Sequence, residues 1–245
     1  MNPDPNKTVR DLAVEIPNAT RIFEQYGIDF CCGGKKPLSD ACREKGLALL
    51  EVTAALEAAA KLSNEPTADL QGGSLAALID HIVKTHHGYT REEIVRLQTL
   101  LDKVCSKHGG NHSELRAMQA IFAGLAQELK LHLMKEENVL FPYVIRMEES
   151  VLQDEPILPP PFGTVQNPVR MMVQEHDGAG NALRELRQLS ADYTPPEDAC
   201  TSFRVLYKSL EAFEKDLHRH IHLENNILFP RALEMERQRE SALIS

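Results

Sequence analysis

The sequence predicts an all-α protein, with a small N-terminal helical unit (residues 1–66) followed by an antiparallel four-helix bundle (residues 74–240). Three observations predict it. Ala, Leu, Glu and Lys are plentiful, Trp is absent, aromatics are only 5%, and Val/Ile/Thr alternation of the strand kind is hard to find. From Ser74 onward apolar residues recur at spacings of three and four, the period of a helix with one buried face. An eleven-residue block also occurs twice in that region, as expected of two related helical hairpins.

In the N-terminal unit, Thr8 is placed to cap a first helix through Val14, and Pro17 opens a second that ends at Gly27. Leu38 to Ala60 offer one or two more, broken near Gly46. Between them lies Asp29-Phe-Cys-Cys-Gly-Gly34. Ser63 to Ser74, with Pro66 and Gly72-Gly73, reads as the connection into the bundle.

The first bundle helix is expected from an N-cap at Ser74 to about Lys107, where His108-Gly-Gly stops it. The second runs from Asn111 or Ser113 to about Glu149, with Pro142 kinking it or marking its last ordered turn. A Pro-rich connection leads to Asn167-Pro168, an N-cap followed by a proline suited to the first helical position, and a third helix to about Ser190. Thr194-Pro-Pro-Glu197 has the capping-box pattern for the fourth.

The repeat carries the chemistry. His132-Leu-Met-Lys-Glu-Glu-Asn-Val-Leu-Phe-Pro142 returns 88 residues later as His220-Ile-His-Leu-Glu-Asn-Asn-Ile-Leu-Phe-Pro230. His87 lies 45 residues before His132, and His176 lies 44 before His220. Residues four apart share a helix face, so His132 with Glu136 and His220 with Glu224 each set an imidazole beside a carboxylate. All six lie on the apolar stripes. The second helix reads Met118, Ile121, Leu125, Leu129, His132, Glu136, Leu140, and the fourth reads Phe203, Leu206, Leu210, Phe213, Leu217, His220, Glu224, Ile227. The first helix aligns Ile79, Val83, His87, Thr90, Ile94, and the third Val169, Met172, His176, Ala179, Leu183.

Two carboxylates aimed into an apolar core are badly destabilising unless cations meet them there. Four imidazoles and two carboxylates can hold two divalent metals, and mixed ligation of this kind suits iron, zinc or manganese. The reading adopted is a di-iron centre with Glu136 and Glu224 as bridges.

Other histidines fit the pattern less well. His86 and His222 fall off the stripes, and His81, His108, His112 and His218 have no matched counterpart, so all six are expected at the surface. Glu175, Asp177 and Glu128 stand close to proposed ligands, either orienting them or simply solvated. Cys31 and Cys32 are adjacent and could form only a strained disulfide. They read either as a buried inert pair or as an exposed pair with a redox or transfer role, flanked by glycines that leave the backbone open. Cys42, Cys105 and Cys200 read as packing residues.

Composition excludes several classes. Twenty-seven basic against 36 acidic side chains give a net charge of −9, and no basic block offers a phosphate-binding stripe, so nucleic acid is not an expected partner. The longest apolar run is Leu75 to Ile79, far short of a membrane span, and the first ten residues lack the pattern of a secretory signal. The expected location is the cytoplasm, with reduced thiols. Ferritin-like oxidases place a Glu three residues before a His, a spacing that no His in this chain has.

These motifs resemble the RIC, or repair-of-iron-centres, di-iron proteins of the ScdA/YtfE type. Asp29-Phe-Cys-Cys-Gly-Gly-Lys35 resembles that family's N-terminal domain. His132-x-x-x-Glu136 through Pro142, Glu175-His176-Asp177, and His220-x-x-x-Glu224 through Pro230 resemble its hemerythrin-like four-helix bundle. Around His87 the sequence is less charged than the family tends to be, and His86 competes for the assignment; register on the stripe favours His87. The resemblance implies metal ligation by His87, His132, Glu136, His176, His220 and Glu224, and two iron ions with an oxo or hydroxo bridge. It implies repair of iron-sulfur clusters damaged by nitrosative or oxidative stress, by supplying iron, with nitric oxide binding or a reductase-like activity at the di-iron site. Expected partners are damaged iron-sulfur proteins, nitric oxide or oxygen as small ligands, and a second copy of the chain as a homodimer. The competing reading is a hemerythrin-like oxygen or nitric oxide binding or sensing protein without repair activity.

Overall fold

The computed structural model describes residues 3–16, 18–31, 33–61, 72–155 and 160–244, so Pro17, Cys32 and most of the Ser63–Ser74 connection lie outside the described residues. The described residues are almost wholly helical, with α1 Val9–Glu15, α2 Ala19–Gln25, α3 Leu38–Lys45 and α4 Leu49–Lys61 in the N-terminal part. Next come α5 Leu75–His81, α6 Gly88–His108, α7 Glu114–Lys135, α8 Phe141–Leu152, α9 Gln166–Leu189, α10 Thr201–Leu223 and α11 Phe229–Ile244. Three of the bundle helices are continued through π-helical turns, at Ile82–His87, Glu136–Leu140 and Glu224–Leu228. No described helix is long and apolar enough to cross a membrane.

By contact the chain forms two compact units. One comprises residues 1–79, 147–156 and 218–245. Its core includes Val9, Leu12, Ile16, Phe23, Ile28, Phe30, Leu38, Val52 and Leu56. Thr8 caps α1 by accepting from Asp11 N at 3.1 Å, and Gly46 ends α3 with φ 66°, a left-handed conformation that glycine adopts without a Cβ penalty. Ser74 Oγ accepts from Ala77 N at 3.0 Å, as the expected N-cap does. The carboxylate of the buried Glu148 takes the next two orphan donors of that helix, Leu75 N at 2.6 Å and Ala76 N at 2.9 Å.

The other unit comprises residues 80–146 and 157–217. Helix α7 packs against both α6 and α9. It reaches α10 through Phe122 and Phe213, whose rings meet edge-on at 5.7 Å, and through Met118, whose sulfur lies 3.8 Å from the Tyr207 hydroxyl. Arg187 of α9 donates to both oxygens of Glu214, a carboxylate buried at 3% exposure.

The second bundle helix runs through Pro142 to Leu152, just past its expected end near Glu149, so the proline does not mark the last ordered turn, and a π turn, Glu136–Leu140, lies just before it. Three local expectations are corrected. Helix α9 begins at Gln166, ahead of the Asn167-Pro168 pair, and Asn167 Nδ2 instead donates to Phe162 O. Thr194 caps nothing: its N–H is spent on Ser190 O and Ala191 O at the end of α9, residues 191–193 turn with positive φ, and α10 starts at Thr201. Within the stripes, Val83 and Ile121 are only half-buried, and Phe122 holds the core position beside Ile121.

Candidate metal centre

Sequence spacing alone places His132 and Glu136 on one face; the π turns add a second device. In each repeat the N–H of a phenylalanine reaches five residues back to the carbonyl of the proposed ligand, Phe141 to Glu136 and Phe229 to Glu224. Gly88 does the same to Val83 in the turn that carries His87. Wider turns of this kind recur at functional sites because they reset which side chains face inward.

In the unit holding residues 80–146 and 157–217, four of the six predicted residues come together. His87, His132, Glu136 and His176 are each 3% exposed or less. His132 Nε2 lies 3.0 Å from His176 Nε2 and 3.3 Å from Glu136 Oε1, and His87 Nε2 lies 3.5 Å from Glu136 Oε2. The opposite nitrogens are held by carboxylates, His87 Nδ1 by Glu137 at 2.6 Å and His132 Nδ1 by Glu175 at 2.8 Å. Burial would raise both carboxylates. Hydrogen bonds from His87 and then Arg91 hold Glu137 below the usual range, and bonds from Lys135 and His132 do so for Glu175. Ionised acceptors at Nδ1 fix the proton there, so each Nε2 presents a lone pair inward.

His132 thus presents Nε2 to both His176 and Glu136. Neither oxygen of Glu136 has a hydrogen-bond partner among the described residues, although the side chain is 0% exposed. A buried carboxylate in that state costs several kcal/mol. The donor set of imidazole nitrogen and carboxylate oxygen is the one that a divalent cation accepts.

The unit holding residues 218–245 places the other two on one face of one helix. His220 and Glu224 are 1% and 0% exposed, with Nε2 and Oε1 at 3.0 Å.

The remaining histidines depart from expectation. His86 and His222 are buried at 5% exposure, and His81, His108, His112 and His218 are half-buried. His86 Nδ1 bonds Asp216 at 3.0 Å, and His222 Nδ1 accepts from Asn226 Nδ2 at 2.7 Å. Each of the two occupies a helix face that a neighbouring segment covers, which a single-stripe reading of the helix misses. Glu137 was missed as an orienting group because it follows a proposed ligand directly in sequence, where only its contact with His87 reveals its role. Glu175 performs the orienting role open to it, while Asp177 and Glu128 are exposed. Cys31 is buried, and Cys42 is buried in the N-terminal core; Cys105 and Cys200 are half-buried, with Cys200 Sγ 3.2 Å from His108 Nε2.

Residues 78–232 match the hemerythrin HHE cation-binding domain, and residues 5–60 match ScdA_N, described as a domain of unknown function (DUF542). A probable iron-sulfur cluster repair protein of Haemophilus influenzae is 40% identical over 91% of this chain and 95% of its own length. The iron-sulfur cluster repair protein YtfE of Yersinia pseudotuberculosis is 37% identical over 94% of this chain and 98% of its own length, and its Yersinia pestis counterpart matches equally. With the two domains in tandem and relatives aligned over nearly their whole length, the chain belongs to the repair-of-iron-centres family of the ScdA/YtfE type.

Proposed function

We propose that the chain holds two iron ions with His87, His132, His176, His220, Glu136 and Glu224, and that it restores iron-sulfur clusters damaged by nitrosative or oxidative stress by supplying iron in the cytoplasm. The observation that carries the reading is the placing of Glu136. One of its oxygens lies toward His132 and the other toward His87, so the carboxylate would help hold a cation at either imidazole. The repeat supplies Glu224 and His220 as the counterpart pair, and one matched cation-binding domain contains all six. The relatives named for cluster repair, aligned over almost their full length, support the repair role over a purely oxygen-binding one.

The bound ions would supply Lewis acidity and redox chemistry toward small ligands such as nitric oxide or oxygen. The protein's own part is more sharply defined. Glu137 and Glu175 hold His87 and His132 in the tautomer that presents Nε2. Phe141 stacks on His87 at 5.6 Å and helps keep water from that ring. Carboxylates can shift between bridging and terminal binding, so Glu136 and Glu224 offer a route for iron release that imidazoles alone would lack.

The test is iron stoichiometry together with reactivation. Anaerobic loading with ferrous iron should give about two irons per chain, in proportion to the four imidazoles and two carboxylates. The loaded protein should restore activity to a nitric oxide-damaged iron-sulfur hydratase faster than free ferrous iron at equal concentration. One tightly held zinc and no reactivation would overturn the proposal.

A further inference from the structure

The segment Asp29–Cys31 is built as a tight, specified turn. Asp29 Oδ1 accepts from Cys31 N at 3.0 Å and from Cys31 Sγ at 3.3 Å. Gly34 closes on it so tightly that a Cβ there would stand 2.6 Å from the Phe30 carbonyl oxygen, a backbone atom with nowhere to retreat. A Cβ on Gly33 would meet the Asp29 carboxylate at 2.8 Å. Gly34 is therefore required by close approach to backbone, whereas Gly33 is crowded only by the Asp29 side chain.

That same Phe30 carbonyl accepts from Asn226 Nδ2 at 3.2 Å. The Phe30 ring, 1% exposed, meets His222 edge-on at 5.5 Å and His218 at 6.3 Å. Asn226 Nδ2 carries two hydrogens and spends both, one on Phe30 O and one on His222 Nδ1. Turned the other way, the amide would set its oxygen against the Phe30 carbonyl, so this orientation is the one that satisfies that carbonyl. Asn226 sits inside the π turn Glu224–Leu228, two residues beyond Glu224, whose carbonyl closes that turn.

The repeat makes the assignment sharper. Asn226 is the counterpart of Asn138, which is exposed and donates within its own helix to Met134 O at 2.7 Å. One copy of the asparagine serves its own backbone; the other reaches out to the thiol-bearing segment.

We infer that Asn226 is a positioning residue that fastens the Asp29–Cys31 segment to the turn carrying Glu224, so that cation binding at Glu224 and reactivity of the Cys31 thiol are linked. The inference rests on the metal reading above. Glu224 now pairs with His220, and a cation taking both ligand atoms replaces that pairing. A change at the start of the π turn is passed to Asn226, from there to the Phe30 carbonyl, and so to the residue after it. Linkage is reciprocal, so whatever loosens the segment also alters cation affinity.

The experiment uses the full chain, loaded with ferrous iron or stripped by chelator under anaerobic conditions, and pulsed with iodoacetamide. Fragment ions in mass spectrometry separate Cys31 from Cys32. Wild type should label Cys31 at clearly different rates in the two metal states. Asn226→Asp, which keeps the shape and loses both donors, should label about tenfold faster than loaded wild type, the scale of one lost buried hydrogen bond. Gly34→Ala, whose Cβ would crowd the Phe30 carbonyl, should reproduce that acceleration. Should the variants not fold, amide hydrogen exchange over residues 28–34 of wild type, with and without iron, reads the same linkage. Labelling or exchange indifferent to iron, or an Asn226→Asp protein as slow as wild type, would overturn the inference. No arm reads cluster repair, so failure of the repair reading shows separately, as an intact linkage in a protein that reactivates nothing.

Discussion

Glu137 accepts from Nδ1 of His87 at 2.6 Å, and this contact decides which nitrogen of the ring faces Glu136. Glu175 does the same for His132. Removing such a carboxylate leaves the proposed ligand in place but frees its tautomer and its ring angle. Glu137→Gln and Glu175→Gln are each expected to weaken metal binding by roughly 10- to 100-fold without unfolding the bundle. Competition titration against a chelator of known affinity measures it, and unchanged affinity in both variants would return these carboxylates to a structural role.

Arg187 and Glu214 make a second specific claim. Glu214 is 3% exposed and accepts from Arg187 at 2.9 to 3.2 Å. Arg187→Met leaves a buried carboxylate without its cation and should cost about 3–5 kcal/mol in urea unfolding. Arg187→Met combined with Glu214→Leu should recover most of that loss, because the buried charge goes with its partner. A double variant no better than the single would show that the pair matters by shape alone.

Much of this was legible before any coordinates. The period of three and four through Phe203, Leu206, Leu210, Phe213, Leu217, His220 and Glu224 described a face that the structure buries at every position. The repeat pointed to the proposed ligand pairs because chance does not match His, Glu, Asn, Leu, Phe and Pro in register. What stayed hidden depends on partners distant in sequence. His222 lies off the stripe and is buried all the same, because Phe30, nearly two hundred residues earlier, covers it. Glu148 caps a helix that begins over seventy residues before it. The π turns were hidden for another reason: their sequence is good α-helix, and in the two repeats only the Phe-Pro pair that follows the turn stands near the place where the ladder widens.

His112 gives the pH prediction. Its hydrogen bond to Asp198, at 3.0 Å, raises its pKa above the ordinary histidine value, with Glu114 adding to the effect, while Asp198 is lowered chiefly by His112. A raised histidine contributes stability that is complete below pH 6.5 and fades as pH rises through the folded-state value; the lowered aspartate contributes above its unfolded value and loses it as pH falls through the folded one. The pair is therefore worth most in mildly acidic solution. Asp198→Asn should flatten the change in melting temperature between pH 6 and pH 8 by a small amount, as both groups are near the surface. An identical pH profile in the variant would show that the pair contributes nothing to folding.

Glu136 provides the sharpest test, because its effect on stability should change sign with the metal. In the chain without cation its two oxygens are buried with no hydrogen-bond partner among the described residues, a state that opposes folding. Glu136→Leu removes that cost at similar volume, so the metal-free variant should be more stable than metal-free wild type by about 1–4 kcal/mol, the range seen when buried charges give way to apolar residues. With iron present the order should reverse. Wild type then gains in proportion to the logarithm of free iron over its dissociation constant, and the variant, short of a bridge, gains less. Four melting curves decide the matter: wild type and variant, each stripped and each loaded. If stripping leaves the order unchanged, with wild type the more stable in both conditions, then Glu136 is satisfied by something other than a cation and the bridging role is wrong.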